Sequence, residues 1–396
     1  MGPTSKVVLA VLMAVAVAFP VGVFRLHRRH RAGRGADSLL VAAVVAAQLA
    51  AVVAVFGVVN RQYGFYPTWE SLFGRTGSAE PVAVPGLGSP AFPTRASPPS
   101  GAIRALRVPA RHPQLLASGL HPYVPRGLVE PPRNLGRYVL STVTGAISHV
   151  RAKVNVWLPP QYGDPRYRTH RFPVVFVLSG AYSGDTALYN KLGFAALATA
   201  AIQSGKVAPF VAVSPQLNQS LHLDTECVDF PAPGPQSYTW LARDVPAWAK
   251  THLRVSADPR RWSALGWSTG GYCAAKLHLL SPGQFAAAAS VEGYFAAEPD
   301  RTTGTLAQVL RANPRLAQQS TLGWVVTHHP PARTHLLVAT SLADPQSEQP
   351  SLDFLKTAAK NPGVQNYVVR DLGHSMPAMK AMTPNVLSWL ARTAGA

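Results

Sequence analysis

Two long apolar stretches lie near the start of the chain. Residues 7–24 and 38–59 are almost purely apolar, and Gln48 is the clearly polar residue inside the second stretch. An apolar helix of about 20 residues is long enough to cross a bilayer. The pattern therefore predicts two transmembrane helices, which form a membrane anchor over residues 1–62.

The charges around these stretches predict how they are oriented. Only Lys6 precedes the first stretch and Arg61 closely follows the second, whereas the connection between them contains Arg25, Arg28, Arg29, Arg31 and Arg34. Short positively charged loops stay in the cytoplasm. We therefore expect a hairpin with both termini outside, which places the rest of the chain on the extracytoplasmic side of the cell membrane. The alternative is a cleaved signal peptide, for which Phe19-Pro20 makes a poor cleavage site.

The segment from residue 63 to residue 134 has a different composition. From about residue 75 it is rich in Pro, Gly, Ser and Ala, as in residues 81–86 and 97–100. Such a segment cannot bury enough apolar surface to fold alone. We interpret it as an extended or disordered linker.

After residue 135, short apolar runs alternate with amphipathic helical stretches. This alternation is typical of a mostly parallel sheet flanked by helices, so we predict one α/β domain over residues 135–396. Strands are expected at residues 152–158, 174–178, 210–213, 262–265, 286–291, 335–339 and 367–369. Helices are expected at residues 186–203, 241–251, 270–280, 351–359 and 383–393.

The net charge and its distribution along the sequence indicate which classes of binding partner to expect. The formal net charge is +19, but no long run of Lys or Arg is interleaved with aromatic residues in the way that a nucleic-acid groove requires. We expect no nucleic-acid partner. On an extracytoplasmic protein, a basic surface would lie near anionic lipids or anionic cell-envelope polymers. The two apolar stretches carry no intramembrane acid or base, which argues against transport.

The chain has two cysteines, Cys227 and Cys273, and both lie in the predicted exported domain. An even pair in an oxidising compartment predicts one disulfide. Two buried free thiols remain the alternative, because a disulfide needs Cα atoms within about 6 Å of each other.

The strongest chemical motif is Gly266-Trp267-Ser268-Thr269-Gly270-Gly271. It follows a predicted strand and precedes a predicted helix, which is the setting of a nucleophile elbow. Glycines allow the sharp turn that exposes a strained serine above the sheet. We predict that Ser268 is the nucleophile.

A serine hydroxyl needs a base and an orienting carboxylate, and both are present downstream. His374 follows the last predicted strand, where this fold carries its catalytic histidine. Asp344 follows the strand at 335–339 and is the expected acid, with Glu348 as the alternative.

Acyl transfer also needs backbone donors for the developing oxyanion. One is the N–H of Thr269, which follows the nucleophile. The strand at 174–178 runs into Ser179-Gly180-Ala181-Tyr182, and we assign the second donor to Ala181, with Tyr182 as the fallback. An ordinary strand-ending turn is the alternative.

No cofactor or metal site is expected. His328 and His329 are adjacent on a loop broken by Pro330 and Pro331, so their side chains should point apart, and no Cys, Asp or Glu lies nearby in sequence.

Several pieces of the sequence together resemble one enzyme family. They are residues 154–162 (VNVWLPPQY), residues 178–181 (LSGA), residues 266–274 (GWSTGGYCA) and Gly373-His374. The region from about residue 138 to residue 390 resembles the esterase D, antigen 85 and enterochelin-esterase-like group of α/β hydrolases. Residues 244–248 (DVPAW), with Cys227 before them, look like membrane-anchored actinobacterial members.

This resemblance implies ester chemistry on an exported acyl or carbohydrate ester. Antigen 85 enzymes are mycolyltransferases, but Ser179 stands where their oxyanion strand typically carries Asp. The leading hypothesis is a membrane-tethered serine esterase that forms an acyl-enzyme. The alternatives are a cell-envelope acyltransferase that uses the same triad and a non-enzymatic wall-binding module.

Overall fold

The computed structural model describes most of the chain. The described residues are 2–29, 34–75, 77–88, 90–92, 120–122, 132–181, 192–220 and 222–394.

Two long helices, α1 (Lys6–Arg29) and α2 (Arg34–Tyr63), form a hairpin at the N-terminus. Arg61 donates to the carbonyl of Thr4 at 2.6 Å, and Gly57 packs beside Leu9. The end of α2 therefore lies next to the start of α1. Both helices are long and apolar enough to cross a membrane, judged by length and composition alone.

A nine-stranded sheet forms the centre of the domain. Its strands are β1 (His121–Pro122), β2 (Arg137–Thr144), β3 (Arg151–Leu158), β4 (Val174–Leu178), β5 (Val211–Pro215), β6 (Trp262–Trp267), β7 (Ala287–Val291), β8 (Leu336–Ser341) and β9 (Val364–Val369). The spatial order is β1-β2-β3-β5-β4-β6-β7-β8-β9. Strands β1, β2, β3 and β5 pair antiparallel, and all pairs from β5 through β9 are parallel.

The described part of the chain has further helices, several of which pack on this sheet. They are α3 (Trp69–Leu72), α4 (Phe194–Gln203), α5 (Ser237–Thr239), α6 (Val245–His252), α7 (Thr269–Leu280), α8 (Leu306–Ala312), α9 (Pro314–Gln319), α10 (Leu322–His328), α11 (Glu348–Thr357) and α12 (Met376–Ala394). A π-helical turn, Trp240–Asp244, joins α5 to α6. Strands β4 and β6 are buried along their whole length, because one hydrophobic cluster lies on each face of the sheet.

The predicted fold class, an α/β hydrolase with a mostly parallel sheet, is confirmed. All seven predicted strands are present as β3 to β9. The two-residue strand β1 and the eight-residue strand β2 were not predicted. The apolar and polar positions of β2 alternate only weakly. Of the predicted helix at 186–203, residues 186–191 lie outside the described residues, and α4 begins at Phe194.

Part of the segment interpreted as a linker packs against the domain. Val82 donates its N–H to the carbonyl of Val368, and Ala91 donates to that of Asn366, both at 2.8 Å. These bonds use backbone groups of the edge strand β9 that would otherwise be unpaired. The boundaries proposed for the linker remain a prediction, but Val82 and Ala91 are bonded to the edge of the sheet.

Candidate active site

Ser268 occupies a sharp turn between β6 and α7. Its backbone has φ 54° and ψ −129°, a conformation that costs energy in any residue other than glycine. A methyl group on Gly266 would overlap the carbonyl of Gly270, and one on Gly270 would overlap the carbonyl of Leu178. The two glycines therefore permit the close backbone approach that exposes the serine at the carboxyl edge of the sheet.

Ser268, His374 and Asp344 form a continuous hydrogen-bonded series. His374 Nε2 lies 3.1 Å from Ser268 Oγ, and His374 Nδ1 lies 2.8 Å from Asp344 Oδ2. The carboxylate accepts from Nδ1–H, which leaves Nε2 free to accept the serine proton. The structure thus brings together three residues that are up to 106 positions apart in sequence.

The surroundings of Asp344 fix the direction of its carboxylate. The side chain is fully buried. Its Oδ1 accepts from the backbone N–H of Gln346 at 2.9 Å, and its Oδ2 accepts from the hydroxyl of Ser347 as well as from His374. Glu348, the alternative acid, is the first residue of α11, and no hydrogen bond joins it to His374 within the described part of the chain.

Two backbone segments converge on the nucleophile and are candidates for the oxyanion hole. Thr269 is the first residue of α7, so its N–H lies at a helix N-terminus, where free donors favour negative charge. A methyl group on Gly180 would lie 3.4 Å from Ser268 Cβ, so the turn after β4 passes beside the serine. The carbonyl of the next residue, Ala181, accepts from Asn218 at 3.1 Å. Tyr182, the fallback donor, lies outside the described residues.

A buried acid beside the triad was not predicted. Glu292 follows β7, has a positive φ of 49° and is completely buried. Its carboxyl oxygen, an oxygen of Asp344 and a ring nitrogen of His374 all lie within 4.8 Å of one another. Burial first, and the negative charge of Asp344 second, raise the pKa of Glu292 well above its usual range, against a smaller opposing effect of the Ser375 backbone. Because His374 is already bonded to Asp344 and Ser268, we assign no metal to this group.

A second set of buried acidic side chains lies next to Thr269, the residue that follows Ser268. Thr269 Oγ1 donates to Asp224 Oδ2 at 3.1 Å, and the hydroxyl of Tyr294 lies 2.7 Å from Glu226 Oε1. Burial raises the pKa of Asp224. Burial, and then the charge of Asp224, raise the pKa of Glu226 to about 8. These side chains connect the loop before Cys227 to the residue that follows the nucleophile.

The two cysteines form a disulfide. Cys227 and Cys273 are bonded, with their Cα atoms 5.8 Å apart. Cys273 lies in the second turn of α7, so the bond ties the loop of Asp224 and Glu226 to the helix that carries the elbow.

Sequence reasoning missed Glu292, Asp224 and Glu226 because no motif contains them. The available signal for Glu292 was its position directly after a predicted parallel strand, since site residues collect at the carboxyl edge of such sheets.

His328 stacks on Trp324 at 4.9 Å between ring centroids, and its Nδ1 lies 3.1 Å from the Trp324 carbonyl.

Comparison with known proteins identifies the family of the chain. The model of the "Putative esterase" family matches residues 147–377, more than half of the chain. The chain belongs to this family. A search of curated proteins found no match.

Solved structures with the same fold include three esterases and hydrolases. A ferulic acid esterase has a TM-score of 0.56 at 17% identity, covering 65% of this chain and 98% of its own. An S-formylglutathione hydrolase from Agrobacterium tumefaciens has a TM-score of 0.56 at 18% identity, covering 68% and 99%. The fluorophosphonate-binding serine hydrolase F of Staphylococcus aureus has a TM-score of 0.53 at 15% identity, covering 64% and 98%. This member of the esterase family is a carboxylic ester hydrolase.

Proposed function

We propose that the chain is a membrane-tethered, extracytoplasmic serine esterase that acts through an acyl-enzyme. The observation that carries the proposal is the hydrogen-bonded series from Ser268 through His374 to buried Asp344, with the serine held in a strained turn. A binding module would have no need of these features together.

In the acylation step, Ser268 Oγ attacks the ester carbonyl carbon while His374 Nε2 takes the hydroxyl proton. The carbonyl π electrons move onto oxygen, and the resulting oxyanion accepts hydrogen bonds from the N–H groups of Thr269 and Ala181. Asp344 stabilises the imidazolium. When the tetrahedral intermediate collapses, the C–O bond to the alcohol breaks and His374 gives its proton to that leaving oxygen.

In the deacylation step, water replaces the alcohol. His374 removes a proton from water as its oxygen attacks the acyl-enzyme carbonyl, and the second tetrahedral intermediate releases Ser268 with the proton returned from His374. The products are one alcohol and one carboxylic acid, and the enzyme returns to its starting protonation state.

The membrane part of the proposal rests on α1 and α2. Their apolar windows have mean hydropathies of 2.8 and 2.5, the helices form a hairpin, and the arginines lie between the two windows in the sequence. By the positive-inside rule, that turn would be cytoplasmic and the catalytic domain extracytoplasmic. Protease added to intact cells should cleave the catalytic domain, whereas a domain protected until lysis would contradict this orientation.

The esterase proposal is tested with the full chain in detergent or nanodiscs. We expect Ser268→Ala to abolish hydrolysis of p-nitrophenyl esters and labelling by a fluorophosphonate, while the exposed-site control Ser220→Ala keeps both. Equal activity in wild type and Ser268→Ala would overturn the serine mechanism.

A further inference from the structure

The residues that directly follow α2 have a defined path. Helix α2 ends at Tyr63, and Gly64 reverses the chain with a φ of +66°. Asn60, which is buried, then fixes the next residues: its Nδ2 donates to the carbonyl of Tyr66 at 2.9 Å, and its Oδ1 accepts from the N–H of Tyr66 at 2.8 Å. The direction in which the chain leaves α2 is therefore set by paired hydrogen bonds.

This connection packs on the two loops that carry the triad. A methyl group on Gly64 would overlap the ring of Pro345, which follows Asp344. A methyl group on Gly373, which precedes His374, would overlap the carbonyl of Gly64. The chain after the second apolar helix thus lies in close contact with the neighbours of both catalytic loop residues.

A hydrogen-bond path links the end of α2 to the catalytic acid. Gln346 Nε2 donates to the carbonyl of Tyr63 at 3.0 Å, and the backbone N–H of Gln346 donates to Asp344 Oδ1 at 2.9 Å. Gln346 therefore joins Tyr63, the last residue of α2, to the carboxylate of Asp344. The carboxyl edge of the sheet, where Ser268 lies, is the edge next to α2.

The same connection exposes a group of aromatic side chains, which we call the aromatic collar. Phe73 is 79% exposed and Trp69 is 42% exposed, although both are large apolar residues. The collar consists of Tyr63, Phe65, Tyr66, Trp69 and Phe73, each at least 36% exposed. Trp and Tyr collect where a spanning helix leaves the hydrocarbon, since their rings suit the lipid headgroup region.

We infer that the aromatic collar rests in the outer surface of the bilayer and that the enzyme takes its ester from that surface, so that the substrate is a lipid-borne carboxylic ester. This inference rests on the proposed function. The occupant of the collar is a lipid bilayer because the collar is continuous with α2 and begins at the last residue of its apolar window, Val41–Tyr63. The contacts with Pro345 and Gly373 then keep the triad beside the headgroups.

The test compares two esters with one leaving group, using the full chain in phosphatidylcholine nanodiscs. 4-Methylumbelliferyl palmitate is carried in the bilayer, and 4-methylumbelliferyl acetate is dissolved in water. We expect the double variant Trp69→Ser/Phe73→Ser to hydrolyse the palmitate at least tenfold more slowly than wild type. Its rate on the acetate should fall less than twofold. Ile147→Ser, which removes a side chain 54% exposed and outside the collar, should change neither rate. Fluorophosphonate labelling normalises each rate to the number of active serines.

Brominated phosphatidylcholine gives a second readout that does not depend on turnover. Bromines near the headgroup should quench the fluorescence of Trp69. Wild type should therefore lose more tryptophan fluorescence on brominated lipid than Trp69→Phe does. Equal quenching in both proteins, or a collar variant that keeps its palmitate rate, would overturn the inference. Wild type that hydrolyses acetate but not palmitate would also overturn it while leaving the esterase proposal intact. Wild type that hydrolyses neither ester and takes no label would overturn the esterase proposal itself.

Discussion

The carboxylate of Asp344 offers the sharpest test of the triad, through Asp344→Asn. Oδ1 accepts from the backbone N–H of Gln346 at 2.9 Å, so the amide oxygen of an asparagine should take that position. Its NH2 group then replaces Oδ2 and points a donor at His374 Nδ1. The imidazole must accept there, so its proton moves to Nε2, which can no longer receive the proton of Ser268.

The expected loss follows from this change of tautomer. The corresponding substitution in the triad of a serine protease lowers kcat by about 10,000-fold, which equals about 5.5 kcal/mol in activation free energy. Because the asparagine is nearly isosteric with Asp344, the fold should persist. We expect Asp344→Asn to melt cooperatively but to lose kcat on a short-chain ester by about this factor.

Glu348→Gln is the matched control, since it makes the same chemical change four residues later. Glu348 is only partly buried and begins α11, so we expect its kcat to stay within about twofold of wild type. Measurement of kcat and KM for both variants decides between the two acids. An Asp344→Asn protein with more than a tenth of the wild-type kcat, or a large loss in Glu348→Gln, would refute the assignment.

Three further predictions concern stability and product. Folding raises the pKa of Glu292, so the folded state binds a proton that the unfolded state releases, and stability should fall as pH rises above about 4.5. Relative to wild type, Glu292→Gln should gain stability in urea unfolding as the pH rises above about 4.5, by at most about 1.4 kcal/mol per pH unit; parallel curves of stability against pH would contradict this. Removing the disulfide with Cys227→Ala/Cys273→Ala opens a loop with a sequence separation of 46 and should cost about 4 kcal/mol in unfolding free energy; a loss below about 1 kcal/mol would refute the estimate of loop entropy. With glycerol present during turnover, free acid should remain the main product by chromatography, whereas a glyceryl ester in excess would favour the acyltransferase alternative.

The main features of the fold, and the three residues that form the hydrogen-bonded series of the candidate site, could be nominated from the sequence for physical reasons. Strand β4 is buried on both faces and is a continuous apolar run, so it can be predicted from the sequence without knowledge of tertiary contacts. The elbow places its glycines where backbone approaches backbone, which leaves a local signature around Ser268. His374 follows the last strand of the sheet and Asp344 follows the strand before it, so chain order was enough to nominate both.

The remaining features depend on contacts between distant segments. Glu292 is a single acid after an apolar strand, and its burial beside Asp344 depends on where β7 and β8 meet. The chain from about residue 75 to residue 92 has the composition of a linker, yet the backbone of Val82 bonds to an edge strand nearly 300 residues later in the chain. Backbone pairing leaves little trace in side-chain composition, so such packing is not visible in the sequence.

Trapping the covalent intermediate would test the acyl-enzyme mechanism most directly. The full chain is mixed with a p-nitrophenyl ester, quenched in acid during turnover and mapped by peptide mass spectrometry. We expect one added acyl mass on the peptide that contains Ser268 in wild type, and no added mass or turnover in Ser268→Ala. Ester turnover that persists in Ser268→Ala, or an acyl group found on a different residue, would contradict it.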